Sequence, residues 1–330
     1  MIQFLADNID QMDLALDQLA VKDRNFDRFA LMLIDNVVEL TLHRHAQDKA
    51  SENEMWSRLG KPKHDPKAVQ KALGQNFDNK VKFAAKSGLI GNIKCESILN
   101  LHSFRNTAYH KGLRHEGILH SIALFYFVNV CELLKGYSPT WWSWGSNDKL
   151  SHRARKYIGN PSFTNHEEVF NVAYQRLLDV ADSMEEDLVG DLHSDMSATV
   201  RSIDDAIQFL ADASPEKRTR DQVIINCQAW PFAFTDEAKA FAQQNGCPEK
   251  CVGPYVDWIA ANYDWPVKSD PVPGWKRRLA SLEKEKDYHM ALKRYCDFMR
   301  QTEDIRSKIH ESAAQLDACI QEQIDIARGK

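Results

Sequence analysis

The sequence has no long hydrophobic run, no large excess of one charge, no cysteine framework and no low-complexity tract. Each absence excludes a class of protein. The longest apolar stretch, Ile122–Val130, is about half the length of a membrane span, so it reads as a core helix and no membrane partner is expected. The chain opens MIQFLADNIDQMD, with acids where an export leader needs positive charge and an apolar run, so no export is expected. Seven scattered cysteines are an odd number in a chain large enough to fold without staples, which fits a reducing cytoplasm. Cys247 and Cys251 form a CxxxC on a turn with Pro248, but no second Cys/His pair stands at zinc spacing. No metal and no cofactor are expected. No stretch alternates with period two, which excludes a sheet.

What is present is helical patterning in an ordinary globular composition: 330 residues, 43% hydrophobic, with length for about two domains. Phe26, Ala30, Leu33, Val37 and Leu40 repeat at helical spacing and predict a long amphipathic helix over 24–46. Further helices are expected at 66–87, 92–108 and 116–135, the last ending at Gly136. The segments YSPTWWSWGSND (137–148) and IGNPSFTN (158–165) read as a non-helical connector. Its Trp141, Trp142 and Trp144 serve either to wedge helices together or to stack on bases. Beyond it, helices are expected at 166–190, 194–213, 234–246, 249–263, 274–300 and 302–327, with Pro215, Pro231, Pro248, Pro266, Pro271 and Pro273 at most breaks. Trp258, Trp265 and Trp275 read as core and corner residues. In the last helix Ile305, Ile309, Leu316, Ile320 and Ile324 form a stripe suited to a neighbouring helix or subunit. The expected architecture is all-α, with a helical bundle over 1–140, a connector over 141–165 and a second region with long C-terminal helices over 166–330.

The net charge of −5, from 42 Lys+Arg and 47 Asp+Glu, conceals a local asymmetry. Residues 58–115 hold 12 Lys/Arg against Asp65, Asp78 and Glu96, a local +9. Residues 151–330 carry −7, with 23 bases and 30 acids, which suits regulation, dimerisation or partner binding rather than contact with a polyanion.

Inside the basic region lies LNLHSFRNTAYHKGLRH (99–115), where Arg105 and Asn106 are followed by Tyr109 and His110, and then by Lys111 and Gly112. This R-N-x-x-Y-H arrangement resembles the ribonuclease signature of the HEPN superfamily: an Arg, a polar residue, a few more residues, then His. The resemblance covers about residues 20–136 and includes the long helix that carries FALMLIDNVVELTLHRH (29–45). Spacing alone is weakly specific, because Arg58/His64 and Arg114/His120 also satisfy it. Arg58/His64 spans Gly60 and Pro62 with Leu59 at the polar position, whereas Arg114/His120 has polar His115 and stays open as a second candidate.

The resemblance implies a metal-independent endoribonuclease acting as a homodimer, in which two motif edges build one cleft. A toxin or antiphage role follows from it, with an antitoxin or other regulatory protein as partner. The chemistry suits the residues. A histidine titrating near neutrality can take the 2′-hydroxyl proton, and a planar guanidinium can steady charge on the phosphate. In these terms His110 is the base, Arg105 the phosphate clamp and Asn106 an orienting or capping residue. Lys111 and Arg114 add backbone contacts, and Tyr109 stacks on a base or, as in some family toxins, takes a modification. On a straight helix Arg105 and His110 stand about 140° apart, so either the helix breaks near the motif or a second copy completes the site. Asp35, Glu39 and His43 share one stripe of the first long helix. There a carboxylate orients His110 or pairs with Arg105; the alternative is a solvated face with local ion pairs. Two other readings fit the same residues: a catalytically silent HEPN-like module that binds nucleotide or RNA, and a helical interaction scaffold.

Overall fold

A computed structural model describes residues 1–58, 60–110, 116–143, 145, 148–159, 165–184, 186–213 and 217–329. The fold is all-α, with no strand among the described residues, and no helix among them is long and apolar enough to cross a membrane. Contacts group the chain into two compact units, residues 1–192 with 286–293, and residues 193–285 with 294–330. These boundaries differ from the expected division at 140 and 165. Nothing in local composition marks them, because two continuous helices each contribute to both units.

Unit 1 is built on α1 (Ile2–Leu19), α2 (Arg24–Ser57), α3 (Pro66–Leu73), α4 (Phe77–Lys86), α5 (Asn92–His110) and α6 (Leu119–Gly136), followed by α7 (His152–Ile158) and α8 (His166–Asp182). Asp23 starts α2 by accepting from Asn25 N at 2.9 Å, and no Gly or Pro interrupts the next 34 residues. The helix is therefore longer than the 24–46 that periodicity predicts. Its inward face is also rotated from the expected stripe. Ala30, Leu31, Ile34, Val37, Val38 and Leu42 are buried, whereas Phe26 and Leu40 are exposed. The expected 66–87 helix is two helices, because Gly74 ends α3 and Asn76 caps α4 through Asn79 N. In the connector Trp142 stacks on His166 and Phe170 of α8, Trp141 is exposed, α7 forms and Trp144 lies outside the described residues.

Unit 2 takes most of α9 (Leu188–Asp212), then α10 (Arg220–Ala233), α11 (Asp236–Gln244), α12 (Val252–Asn262), α13 (Val272–Glu283) and most of α14 (Tyr288–Ala327). Pro231 does not break the chain as expected but sits in the last turn of α10, a helix that proline-based punctuation hides. Thr219 and Gln222 start it with a capping box. Ala229, Ala233, Ala238, Val256, Ile259 and Trp265 form a small core there, with Trp258 packed against it, and Trp275 is buried elsewhere in the unit. Two C-terminal helices form as expected, but the break between them lies at 284–287 instead of 301, which lengthens the last one. Along α14 Ile305 and Ile309 are buried, Leu316 and Ile320 half-buried, and Ile324 exposed. The seven cysteines are free; Cys247 is half-buried and Cys251 exposed.

His45, buried in α2, tests how α2 and α4 hold together. Its Nε2 lies 2.7 Å from Ser87 Oγ, and its ring packs near Phe83 and Tyr137. Burial, helped by the Lys49 charge, pushes its pKa down to about 4. A lowered histidine pKa means the folded state prefers the neutral ring. The contribution is complete above pH 6.5 and is lost as pH falls toward 4. Stability should therefore drop by up to about 3 kcal/mol over that window, and His45→Gln should flatten the drop in urea unfolding followed from pH 7 to 4.5.

Candidate functional site

The site forms where α5 crosses α2. No Gly or Pro occurs from 92 to 110, so α5 runs unbroken through the whole motif. Ile98, Leu101 and Ala108 bury its apolar side. The adjoining side carries His102, Arg105 and Asn106, all half-buried. Opposite them α2 presents Asp35, whose side chain is 1% exposed.

That carboxylate is not on a solvated face; it sits among partners from two helices, α5 and α6. Oδ1 lies 2.8 Å from His102 Nδ1 and accepts from Tyr126 Oη at 2.9 Å. Oδ2 faces Arg105 Nε at 3.3 Å. Arg105 Nη1 in turn donates to Asn106 Oδ1 at 2.9 Å. Phe77 of α4 lies flat against the His102 ring, with centroids 3.7 Å apart and planes 8° from parallel. Complete burial, and then the Asp35 charge, raises the Tyr126 pKa far above that of free phenol, so its hydroxyl stays a donor. Of the two roles open to Asp35, it takes the pairing with Arg105.

Glu39, one turn further along α2, faces a different partner. It is 41% exposed and stands 3.3 Å from Lys80 Nζ, which is buried and also donates to the Gly74 carbonyl at 2.7 Å. His43 bonds with Gln47 in its own helix. Tyr109 and His110 close α5, but their side chains, and all of Lys111 and Arg114, lie outside the described residues. Because α5 is continuous between Arg105 and His110, the two positions are about 7.5 Å apart along its axis and about 140° around it. No helix break between them brings them together.

The competing histidines have other work. His64 Nε2 meets Glu52 at 3.1 Å, and its backbone N donates to Asn53. Burial opposes ionisation of Glu52, but hydrogen bonds from Lys49, His64 and Lys63 outweigh it and hold the carboxyl down at about 2. His120 is gripped at both nitrogens, Nδ1 2.7 Å from Asp27 and Nε2 3.3 Å from Glu186. The bond to Asp27 leads the causes that raise its pKa against burial.

The lysine-rich run is less open than its linear count suggests. Lys63, Lys80, Lys94 and Arg105 pair with Glu52, Glu39, Glu132 and Asp35, four acids outside 58–115. Lys82 and Lys86 pair with Asp78 and Asp65. Lys61, Lys67 and Lys71 are exposed around α3. Two clefts of about 510 Å³ occur in unit 1, one beside Phe125 and Tyr288 and one beside Ile93 and Leu133. Neither is lined by Asp35, His102 or Arg105. Among the described residues no group of three or more His, Cys, Asp or Glu side chains is placed to hold a metal.

His102, Tyr126 and Phe77 are neighbours of the Asp35–Arg105 pair that sequence reasoning missed. His102 left one signal: it precedes Arg105 by three residues on a helix, so it shares that face. No protein-family model, curated protein or solved structure matches the chain.

Removing the Asp35 carboxylate should leave His102 Nδ1 and Tyr126 Oη without their acceptor and Arg105 without its counter-charge. Asp35→Ala should cost about 3 kcal/mol or more in chemical denaturation, while Glu39→Ala, at the exposed end of its pair, should cost under about 1 kcal/mol. Equal losses in the two variants would show that Asp35 anchors nothing special.

Proposed function

We propose that this chain is a cytoplasmic, metal-independent endoribonuclease of the HEPN type that works as a homodimer. One observation carries the reading: Arg105 is steadied by a buried carboxylate and by Asn106, on a helix that continues without a break into His110. A guanidinium held this way is a pre-set phosphate clamp, since little side-chain freedom is left to lose on binding. His110 takes the proton from the ribose 2′-hydroxyl. The 2′-oxygen then attacks the adjacent phosphorus, leaving a 2′,3′-cyclic phosphate and a 5′-hydroxyl. Since Arg105 and His110 diverge around α5, a second copy supplies the missing side of the cleft.

The exposed Lys61, Lys67 and Lys71 offer an electrostatic approach for RNA, and the acidic residues of 151–330 are left for regulation or partner binding. Service as a toxin or antiphage effector, restrained by an antitoxin or another regulatory protein, rests on the family resemblance.

With EDTA present, the wild-type chain should cut single-stranded RNA to cyclic-phosphate ends. Arg105→Ala and His110→Ala should each slow cutting by roughly 100-fold or more. Light scattering at micromolar concentration should give the mass of a dimer. Uncut RNA from the wild type, with RNA still bound, would leave the catalytically silent module in its place.

A further inference from the structure

The proposed reaction needs two proton transfers, and His110 accounts for one. As the 2′-oxygen bonds to phosphorus, the 5′-oxygen departs as an alkoxide unless a proton reaches it. We propose that His102 is the general acid that protonates the leaving 5′-oxygen, with Asp35 as its positioning residue. The inference rests on the ribonuclease reading of the same site.

The geometry supports this role in three ways. First, an ionised carboxylate only accepts hydrogen bonds, so the 2.8 Å contact to Asp35 Oδ1 places a hydrogen on His102 Nδ1 and turns Nε2 away from Asp35 as the exchanging nitrogen. Second, Phe77 covers the ring face at 3.7 Å and fixes its plane, while 17% of the side chain stays exposed. Third, His102 precedes Arg105 by three residues on one helix, about 4.5 Å along the axis and about 60° around it. The two oxygens of one buried carboxylate hold both side chains. A phosphate clamped by Arg105 therefore lies beside the imidazole that must serve it.

The step balances within the chain and its substrate. The 2′-O–P bond forms and the 2′-hydroxyl proton passes to His110. The P–O5′ bond breaks, and its electron pair takes the proton from His102 Nε2. His102 ends neutral and His110 protonated, and exchange with water resets both.

The test compares two RNAs with the full-length chain, one ordinary and one with sulfur bridging phosphorus and the 5′-carbon at the cleaved linkage. A thiolate leaves without a proton. His102→Asn, whose side-chain amide can still donate to Asp35, should lose roughly 100-fold or more on ordinary RNA and regain most of it on the sulfur-bridged RNA. His110→Ala should stay slow on both. Wild-type rates for His102→Asn on ordinary RNA, or equal losses on both RNAs, would overturn the acid role and leave the ribonuclease reading standing. A wild type that cuts neither RNA removes the ribonuclease reading and this inference with it. If His102→Asn does not fold, the wild-type kcat profile decides: its alkaline limb should appear with the oxygen leaving group and vanish with sulfur.

Discussion

Everything near the motif depends on one buried carboxylate. Asp35 is 1% exposed, and a charge in that position is tolerable only with its oxygens matched by donors. The donors come from α5 and α6, so the carboxylate acts as a gauge for how those helices cross α2. If α5 slid by a residue, His102 and Arg105 would rotate by about 100° and Asp35 would be stranded. Apolar packing alone is more forgiving, because neighbouring aliphatic residues on one face can exchange partners at modest cost. The core formed by Leu31, Ile34 and Val38 favours compact association of the bundle, while Asp35 selects one register within it.

The same device repeats along α2. Asp27 holds His120, His45 meets Ser87, Asp48 accepts from Tyr137 and Asn53 bonds both backbone groups of His64. Asp27, Asp35, His45, Asp48 and Asn53 all find partners that arrive later in the chain, from the residues after α2 through Tyr137, while Thr41 accepts from Asn8 of α1. α2 is thus a spine for polar pairing as well as for apolar packing. Each pair adds only modestly to stability once desolvation is counted. Each also penalises arrangements that leave it unmatched, which narrows the set of competing folds.

Much of this was legible in the sequence, and the losses follow a rule. Helical class, the start of α2 and the span of α5 follow from local pattern, because caps and uninterrupted 3.6-residue spacing are local facts. The inward face of α2 was misplaced because Phe26 and Leu40 look like core and Asp35 looks like surface. Only the donors on α5 and α6, some 70 to 90 residues away, make a buried Asp35 affordable. Pro231 was misread because a proline late in a helix is tolerated where tertiary packing holds that turn. Motif pattern singled out Arg105 and His110 as candidates. It passed over His102, whose meaning depends on Phe77 and Asp35 rather than on its distance from any motif residue.

Pairing Arg105 with a carboxylate looks wasteful for a residue proposed to meet phosphate, since it offsets the charge that would attract the ligand. Magnitudes argue otherwise. An arginine side chain loses up to about 2 kcal/mol of rotamer freedom when it is fixed, and here that loss accompanies folding instead of binding. Long-range attraction need not come from Arg105. Lys61, Lys67 and Lys71 are exposed, and at physiological salt charges act over about 8 Å, enough to draw in a polyanion that passes along them. On the proposed ribonuclease reading, attraction and clamping are given to different residues: exposed lysines would raise the local concentration of phosphate, and a buried carboxylate would preset the guanidinium that grips it. A free arginine in the same position would attract more strongly at a distance and hold its geometry less well at contact, where a reaction that depends on orientation is decided.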